Sequence, residues 1–300
     1  MISGFQFRKL ADFCIDDEKS STIDASKVKN GSIIYVKVDF LGYFFHQIFP
    51  KIASNIVLIS HNGDLSAPGA FADKLDDPKL ICWYGQNCDF KHDKFIPIPI
   101  GIANPEWNHG RVDILEMVMR KPQQKKNKIY VNFSQSTNPD RKKLFEVLQA
   151  KQHSWIDMID QPNRSFEDYL TEMSQYRFVL SPHGNGLDCH RTWEALMLGC
   201  IPIVKTSTLD KLYKGLPVII LDEWTDLNIN ILDHTIYARS DFRKKLTMSY
   251  WSKKIKTFKC PLRHLSGCKF KTETCQDMDS HIAETIHDDQ DKCPNFGFLN

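Results

Sequence analysis

Three apolar runs set within 45 residues constrain this chain more than any other feature: RFVLSP (Arg177–Pro182), CIPIVK (Cys200–Lys205) and LPVIIL (Leu216–Leu221). Each is almost continuously apolar, as a strand buried on both faces must be. The stretches between them, HRTWEALMLG and TLDKLYKG, repeat apolar residues at helical spacing. Strands of this kind joined by helices form a parallel sheet covered on both sides.

The alternation extends upstream. GSIIYVKVDFL (Gly31–Leu41), NIVLISHNGD (Asn55–Asp64) and ICWYGQN read as strands, with GYFFHQIFPKIA and AFADKLDDPKL as helices between them. KFIPIPIGIA is apolar but broken by prolines, which fits an edge strand or a buried connection. KPQQKKNK (Lys121–Lys128) reads as a solvated linker, and after it the pattern restarts. KIYVNFS (Lys128–Ser134) is a strand. NPDRKKLFEVLQA is a helix capped by Asn138 with Pro139 first, and SFEDYLTEMSQY a helix opened by Ser165 with Asp168 three residues on. SDFRKKLTMSYWSKKI reads as one long helix with an apolar stripe. Three hundred residues exceed a single small core. The pattern predicts an α/β chain of two Rossmann-like domains facing a cleft, residues 1–122 and 128–256, followed by a Cys/His-rich tail, 257–300.

Composition excludes more than it assigns. Hydrophobic residues at 42% and charged residues at 25% suit a soluble globular protein, and a net charge of +2 makes no case for a polyanion partner. No window approaches the roughly 18 consecutive apolar residues of a membrane span. The N-terminal residues lack the apolar core of a secretory signal. The expectation is a cytoplasmic protein, the other reading being a Golgi-type enzyme given without its anchor.

Of nine cysteines, Cys260, Cys268, Cys275 and Cys293 crowd the last 41 residues. Cys268, His281 and His287 have the spacing of half a Cys2His2 zinc finger, whereas Cys260 and Cys268 are separated by seven residues instead of two to four. Structural zinc held by Cys260, Cys268, His281 and His287 is one reading, and a terminal extension with free thiols the other. A nucleic-acid-binding module is disfavoured by Glu273, Asp277, Asp279, Glu284 and the closing DDQDK, which would repel phosphate.

The chemistry concentrates in SPHGNGLDCHRTWEALMLGCIPIV (Ser181–Val204). Ligands in parallel α/β units bind beyond the carboxyl ends of strands, which is where Ser181, His183, Gly184, Asn185 and Gly186 fall. Gly184 and Gly186 permit close approach of the backbone to a bound group and tolerate positive φ. A helix beginning near Leu187 would turn free N–H groups and its positive end toward a phosphate. Arg191 could pair with a second phosphate oxygen, and Glu194, on the same helix face, could accept hydrogen bonds from a ribose diol. These parts describe a nucleoside diphosphate pocket.

The same stretch resembles the C-terminal signature of exostosin-like glycosyltransferases, in which a strand ending in Ser-Pro, a glycine turn, an Arg, a Glu-Ala pair and a Gly-Cys-Ile-Pro run recur in this order. The resemblance covers Arg177 to Asp222 and extends loosely to IYVNFSQSTNPDR, LISHNGD and IPIGIAN. It implies the GT-B fold, a UDP- or GDP-sugar donor held mainly by the second domain, a glycan or protein acceptor, inversion at the sugar, and no cofactor required for catalysis. It further implies that the His183–Gly186 turn and Arg191 hold the diphosphate, Glu194 the ribose, and Arg141 a further charge. Ser134 and Asn132 would line the entrance. The alternative is a nucleotide-sugar or polysaccharide-binding protein with this fold and no catalysis.

Deprotonating an acceptor hydroxyl requires a base, expected from the first domain. His61 and Asp64 in SHNGD follow a predicted strand and are the leading candidates, with Asp39, His46 and His109 behind them.

Overall fold

Among the described residues every strand pairing is parallel, and the strands fall into two five-stranded sheets. The computed structural model describes residues 1–17, 23–121, 123–151, 153–159, 164–233 and 242–257. The tail with Cys260, Cys268, His281 and His287 lies outside the described residues.

In chain order the elements are α1 (Gly4–Arg8), β1 (Phe13–Ile15), β2 (Ser32–Lys37), α2 (Leu41–Tyr43), β3 (Ile56–His61), β4 (Leu80–Gly85), β5 (Phe95–Pro97) and α3 (Val112–Met119). There follow β6 (Lys126–Val131), α4 (Pro139–Lys151), β7 (Ile156–Met158), α5 (Phe166–Met173), β8 (Tyr176–Leu180), α6 (His190–Met197), β9 (Ile201–Lys205), α7 (Asp210–Tyr213), β10 (Ile219–Leu221) and α8 (Met248–Lys256). The first sheet runs β1-β2-β3-β4-β5 and the second β10-β9-β8-β6-β7. This is the two-sheet α/β architecture that the GT-B expectation requires.

The second sheet shows why its strands read as continuous apolar runs. Ile129, Val131, Phe178, Leu180 and Ile203 pack on one face against Leu144 and Leu148 of α4. The alternate residues Tyr130 and Val179 pack on the other, against Leu170 and Met173 of α5 and Ala195 of α6. Side chains alternate faces along a strand, so burial on both sides leaves no polar position. The predicted start of α5 is present: the Ser165 side chain accepts from the Asp168 amide at 3.1 Å and donates to the Asp168 carboxylate at 2.6 Å.

Several local expectations change. GYFFHQIFPKIA does not form one regular helix. Only Leu41–Tyr43 is α-helical, and a widened π turn over Phe44–Ile48 and a 3₁₀ turn over Phe49–Lys51 follow. Phe44, Phe45 and Phe49 are all buried, their rings 5.0–5.7 Å apart, so packing around the whole circumference overrides helical regularity. AFADKLDDPKL forms tight 3₁₀ turns over Gly69–Asp76. The lysine-rich run is not wholly solvated, because Lys125 Nζ donates to the carbonyls of Ser174, Leu198 and Tyr176 at 2.9–3.3 Å. The long C-terminal helix is divided by Thr247, which is extended and caps α8 behind a 3₁₀ turn at Phe242–Leu246. That short helix returns to the first sheet, where Trp251 lies 6.3 Å from Phe7 and Tyr84 Oη donates to the Lys254 carbonyl at 3.4 Å. Among the described residues no helix is long and apolar enough to cross a membrane.

One buried carboxylate gathers hydrogen bonds from both halves. Asp188, between β8 and α6, accepts from the Ile100 amide at 2.8 Å, its neighbour Cys189 at 2.9 Å, and Trp193 Nε1 at 2.8 and 3.0 Å. Its own amide donates to Asn87 Oδ1, beyond β4, at 2.9 Å. Burial pushes this carboxyl up to about 6. Because the folded value lies above the ordinary 3.8, the group's contribution to stability is full below that value and is lost as pH rises through about 6. Asp188→Asn turns an amide N–H against donors and should destabilise the fold by about 1–3 kcal/mol. In urea unfolding the gap to the parent should be wider at pH 5 than at pH 7.5, and an equal gap would mean that this carboxyl does not titrate on unfolding.

Candidate active site

The strand order of the second sheet singles out one crevice. Starting from β6, the chain places β7 on one side and then crosses back to lay β8, β9 and β10 on the other. At such a reversal the loops leaving adjacent strands diverge and open a space beyond their carboxyl ends. Asn132–Ser134 leave β6 and Ser181–Cys189 leave β8 at that point. The first sheet, ordered sequentially, has no such reversal. A cleft of about 690 Å³ opens there, lined from both halves of the molecule, and its size falls in the range of small-molecule sites.

Arg141 shapes the wall. It is 5% exposed, and its guanidinium donates to the carbonyls of His183 (2.6 Å), Pro182 (2.9 Å) and Ser134 (3.2 Å) and to Thr137 Oγ1 (2.9 Å). One cation thus ties both crevice loops together. Its hydrogen bonds go to the protein, so it contributes charge to the cleft and holds the loop's shape. Asn138, the predicted cap of α4, also reaches across and donates to the Gly184 carbonyl at 3.1 Å.

Both glycines of the turn line the cleft. Neither Gly184 nor Gly186 is among the positive-φ residues. A Cβ at Gly186 would lie 2.4 Å from Asn87 Nδ2, so the glycine lets the first half of the molecule approach the loop. The helix also begins later than expected, at His190, with Cys189 as an extended N-cap that supplies no side-chain hydrogen bond. Asp188 and Asn87 take up the two preceding amides, which keeps those residues out of the helix.

Arg191, second in α6, lines the cleft, and its Nε is buried with no hydrogen-bond partner among the described residues. Its guanidinium lies 5.9 Å from the Phe133 ring, and that of Arg141 lies 5.6 Å from the same ring. Two cations over one aromatic ring, beside an uncapped helix N-terminus, make a strongly anion-seeking corner. Glu194, 3% exposed, accepts from Tyr169 Oη at 3.0 Å, and burial pushes its carboxyl up to about 7 against the pull of Arg191. A buried donor without a partner and a carboxyl with acceptor capacity to spare equip the cleft to hold an anion and a hydroxyl-bearing group.

Other sequence candidates are distributed differently. Asp64 lines the cleft from the first half and accepts from Asn185 Nδ2 at 3.1 Å, and His109 lines it as well. Ser181 is buried beneath it, bonded to Thr192 Oγ1 at 2.8 Å. His183, whose carbonyl serves Arg141, is not a lining residue; burial and the charges of Lys205 and Arg141 hold its imidazole below the usual range. Asn132 and Ser134 are not lining residues either, and Ser134 Oγ bonds Ser136 Oγ at 2.9 Å. His61 is 1% exposed with both ring nitrogens occupied, Nε2 at 3.0 Å from the Pro99 carbonyl and Nδ1 accepting from the Asn62 amide at 2.8 Å. Burial lowers it to about 4, so it is a neutral core group with no free lone pair. Asp39 pairs with Lys37 at 3.6 Å and His46 packs on Phe71 at 5.8 Å; neither lines the cleft. Among the described residues no three His, Cys, Asp or Glu side chains gather to hold a metal ion.

Sequence reasoning passed over Tyr169 and His190. Nothing in the spacing of α5 announces that Tyr169 meets Glu194. His190 stands in the quoted motif beside Arg191, and that adjacency was the signal to follow.

No curated protein sequence matches the chain. Among solved structures, an α1,3-fucosyltransferase aligns at 13% identity and a TM-score of 0.33 over 100% of both chains. The structure titled as its complex with GDP aligns at 12% identity and 0.32 over 93% of each chain. The one titled with GDP-fucose aligns at 10% and 0.31 over 97% of this chain and 98% of that one. At such scores the fold rests on the two sheets themselves. The family evidence lies in the sequence: residues 115–264, half of the chain, match the model described as the RXYLT1 C-terminal domain, and the chain belongs to that family of exostosin-like glycosyltransferases.

Proposed function

We propose that the chain transfers a sugar from a nucleoside diphosphate sugar, with UDP or GDP as the nucleotide, to a hydroxyl of a glycan or protein acceptor. The observation that carries this reading is the buried, unpartnered Nε of Arg191 at the N-terminus of α6, inside a cleft at the sheet's reversal point. Departure of a diphosphate builds negative charge that must be met where it develops. Arg191, the first-turn amides of α6 and the charge of Arg141 converge there. In this reading they stabilise the leaving group without a metal, the diphosphate bridges toward α6, and the ribose hydroxyls reach Glu194, whose Oε2 now accepts from Tyr169. Attack from the opposite, Asp64-bearing wall would invert the anomeric carbon. Structural zinc in the tail remains a separate proposal for residues outside the described ones.

Calorimetry with UDP, GDP and inorganic pyrophosphate separates the two anchors. Arg191→Ala should weaken all three by about 10–100-fold, the worth of a charge-assisted hydrogen bond. Glu194→Gln should weaken the nucleotides and leave pyrophosphate unchanged; equal weakening of pyrophosphate would remove the carboxylate from the ribose. Failure of the parent to bind any nucleotide rules out the donor site. Binding without release of nucleoside diphosphate from any UDP- or GDP-sugar would instead describe a binding protein without catalysis.

A further inference from the structure

The base in this transfer is unassigned by the family match. His61 has no free nitrogen, and Asp64 is exposed on the cleft rim and already accepts from Asn185. Glu194 lies beside Arg191, on the side proposed to hold ribose. Two imidazoles line the cleft, His109 and His190, and His190 is the one whose ring is oriented by a backbone carbonyl.

His190 is the first residue of α6 and lines the cleft. Its Nδ1 lies 2.7 Å from the Gly101 carbonyl. A carbonyl oxygen only accepts, so Nδ1 must carry the proton, and the neutral ring presents an unprotonated Nε2 lone pair. The carbonyl is itself fixed. Gly101 has φ +67, a Cβ there would meet the Ile2 carbonyl at 2.3 Å, and the preceding residue, Ile100, is tied to Asp188.

The surroundings favour the neutral ring. Burial and the nearby His109, 6.0 Å away between ring centres, hold it below the ordinary histidine range, while Asp64 pulls the other way. The buried neutral His61 faces it from β3, Arg191 adjoins it, and the positive end of α6 adds to the opposition. Consecutive helical residues point about 100° apart. Arg191 and His190 can therefore address different sides of one bound sugar while lining the same cleft.

We propose that His190 Nε2 is the general base that accepts the acceptor's hydroxyl proton, an inference that rests on the sugar-transfer reading. The acceptor O–H bond breaks with its proton passing to the Nε2 lone pair. The oxygen's electron pair forms the bond to the anomeric carbon. The bond from that carbon to the phosphate oxygen breaks, and its electrons leave on the diphosphate held by Arg191. The acceptor enters along the side of the cleft lined by His109 and Asp64.

The test uses the full chain with His190→Asn, whose side-chain amide can still donate to Gly101 while Nε2 is removed, and His190→Gln beside it. UDP and GDP affinity is measured by calorimetry. Turnover is read as nucleoside diphosphate released from a panel of UDP- and GDP-sugars, with water and with simple alkyl glycosides as acceptors, between pH 5 and 9. The expected result is affinity within about threefold of the parent and turnover lowered by about 10²–10⁴. The acid limb of the kcat profile, which reports protonation of His190, should disappear in His190→Asn. Unchanged turnover, or an unchanged acid limb, would overturn the assignment. So would a parallel loss of nucleotide affinity, since the ring would then be holding the diphosphate. A parent that binds no nucleotide, or binds it and releases none, removes the transfer reading and the base with it; a parent that turns over alongside equally active variants removes the base alone.

Discussion

The buried carboxylate of Asp188 is the interaction on which the rest of the molecule depends. Fully desolvated charge is costly, and it is retained here because donors from both halves converge on it: the Ile100 amide from one side, Trp193 and Cys189 from the other. The consequence reaches the chemistry in two short steps. Fixing Ile100 fixes the carbonyl of Gly101, and that carbonyl selects the tautomer of His190. Asp188 also takes the amide of Cys189, the extended N-cap, and the late start of α6 places His190 and Arg191, in place of Leu187, at its open end. One acidic residue therefore joins the halves, registers the helix and orients an imidazole.

The second sheet was legible because its strands are buried on both faces and its helices are separately signalled. Ser165 with Asp168, and Asn138 with Pro139, mark helix starts by side-chain chemistry that operates within four residues, and both appear as read. The order of the strands was not legible. Nothing in KIYVNFS or RFVLSP says that β6 and β8 are neighbours while β7 lies outside them, yet that arrangement opens the cleft. In the first half the reading was weaker for a related reason. Phe44, Phe45, Phe49, Phe71 and Trp83 pack as one aromatic cluster, and tertiary contact overrode the helical pattern that the isolated segment suggests.

At the site, residue types were easier to foresee than their tasks. Arg141 was expected as a cation for the ligand, and it lines the cleft, but its donors are taken by carbonyls brought from residues far along the chain. Gly186 was expected to admit a ligand, and it lines the cleft, but its missing Cβ also accommodates Asn87 from the other half. Both are long-range facts, and local spacing carries no information about which distant backbone will arrive. Arg191 differs because its neighbours in sequence, the start of α6 and Glu194, are also its neighbours in space.

The adjacency of His190 and Arg191 gives the cleft an electrostatic order of events. Desolvation and the nearby His109 oppose a proton on His190, against the pull of the Gly101 carbonyl and Asp64. A diphosphate seated on Arg191 would bring negative charge into the same low-dielectric space. That charge would cancel the opposition and raise the basicity of the ring. The proton acceptor would thus become competent once the leaving group is in place, and its new positive charge would form beside the negative charge building on the departing phosphate. Coupling of this kind requires the base and the anion anchor to share one helix end, which the strand–helix junction after β8 provides.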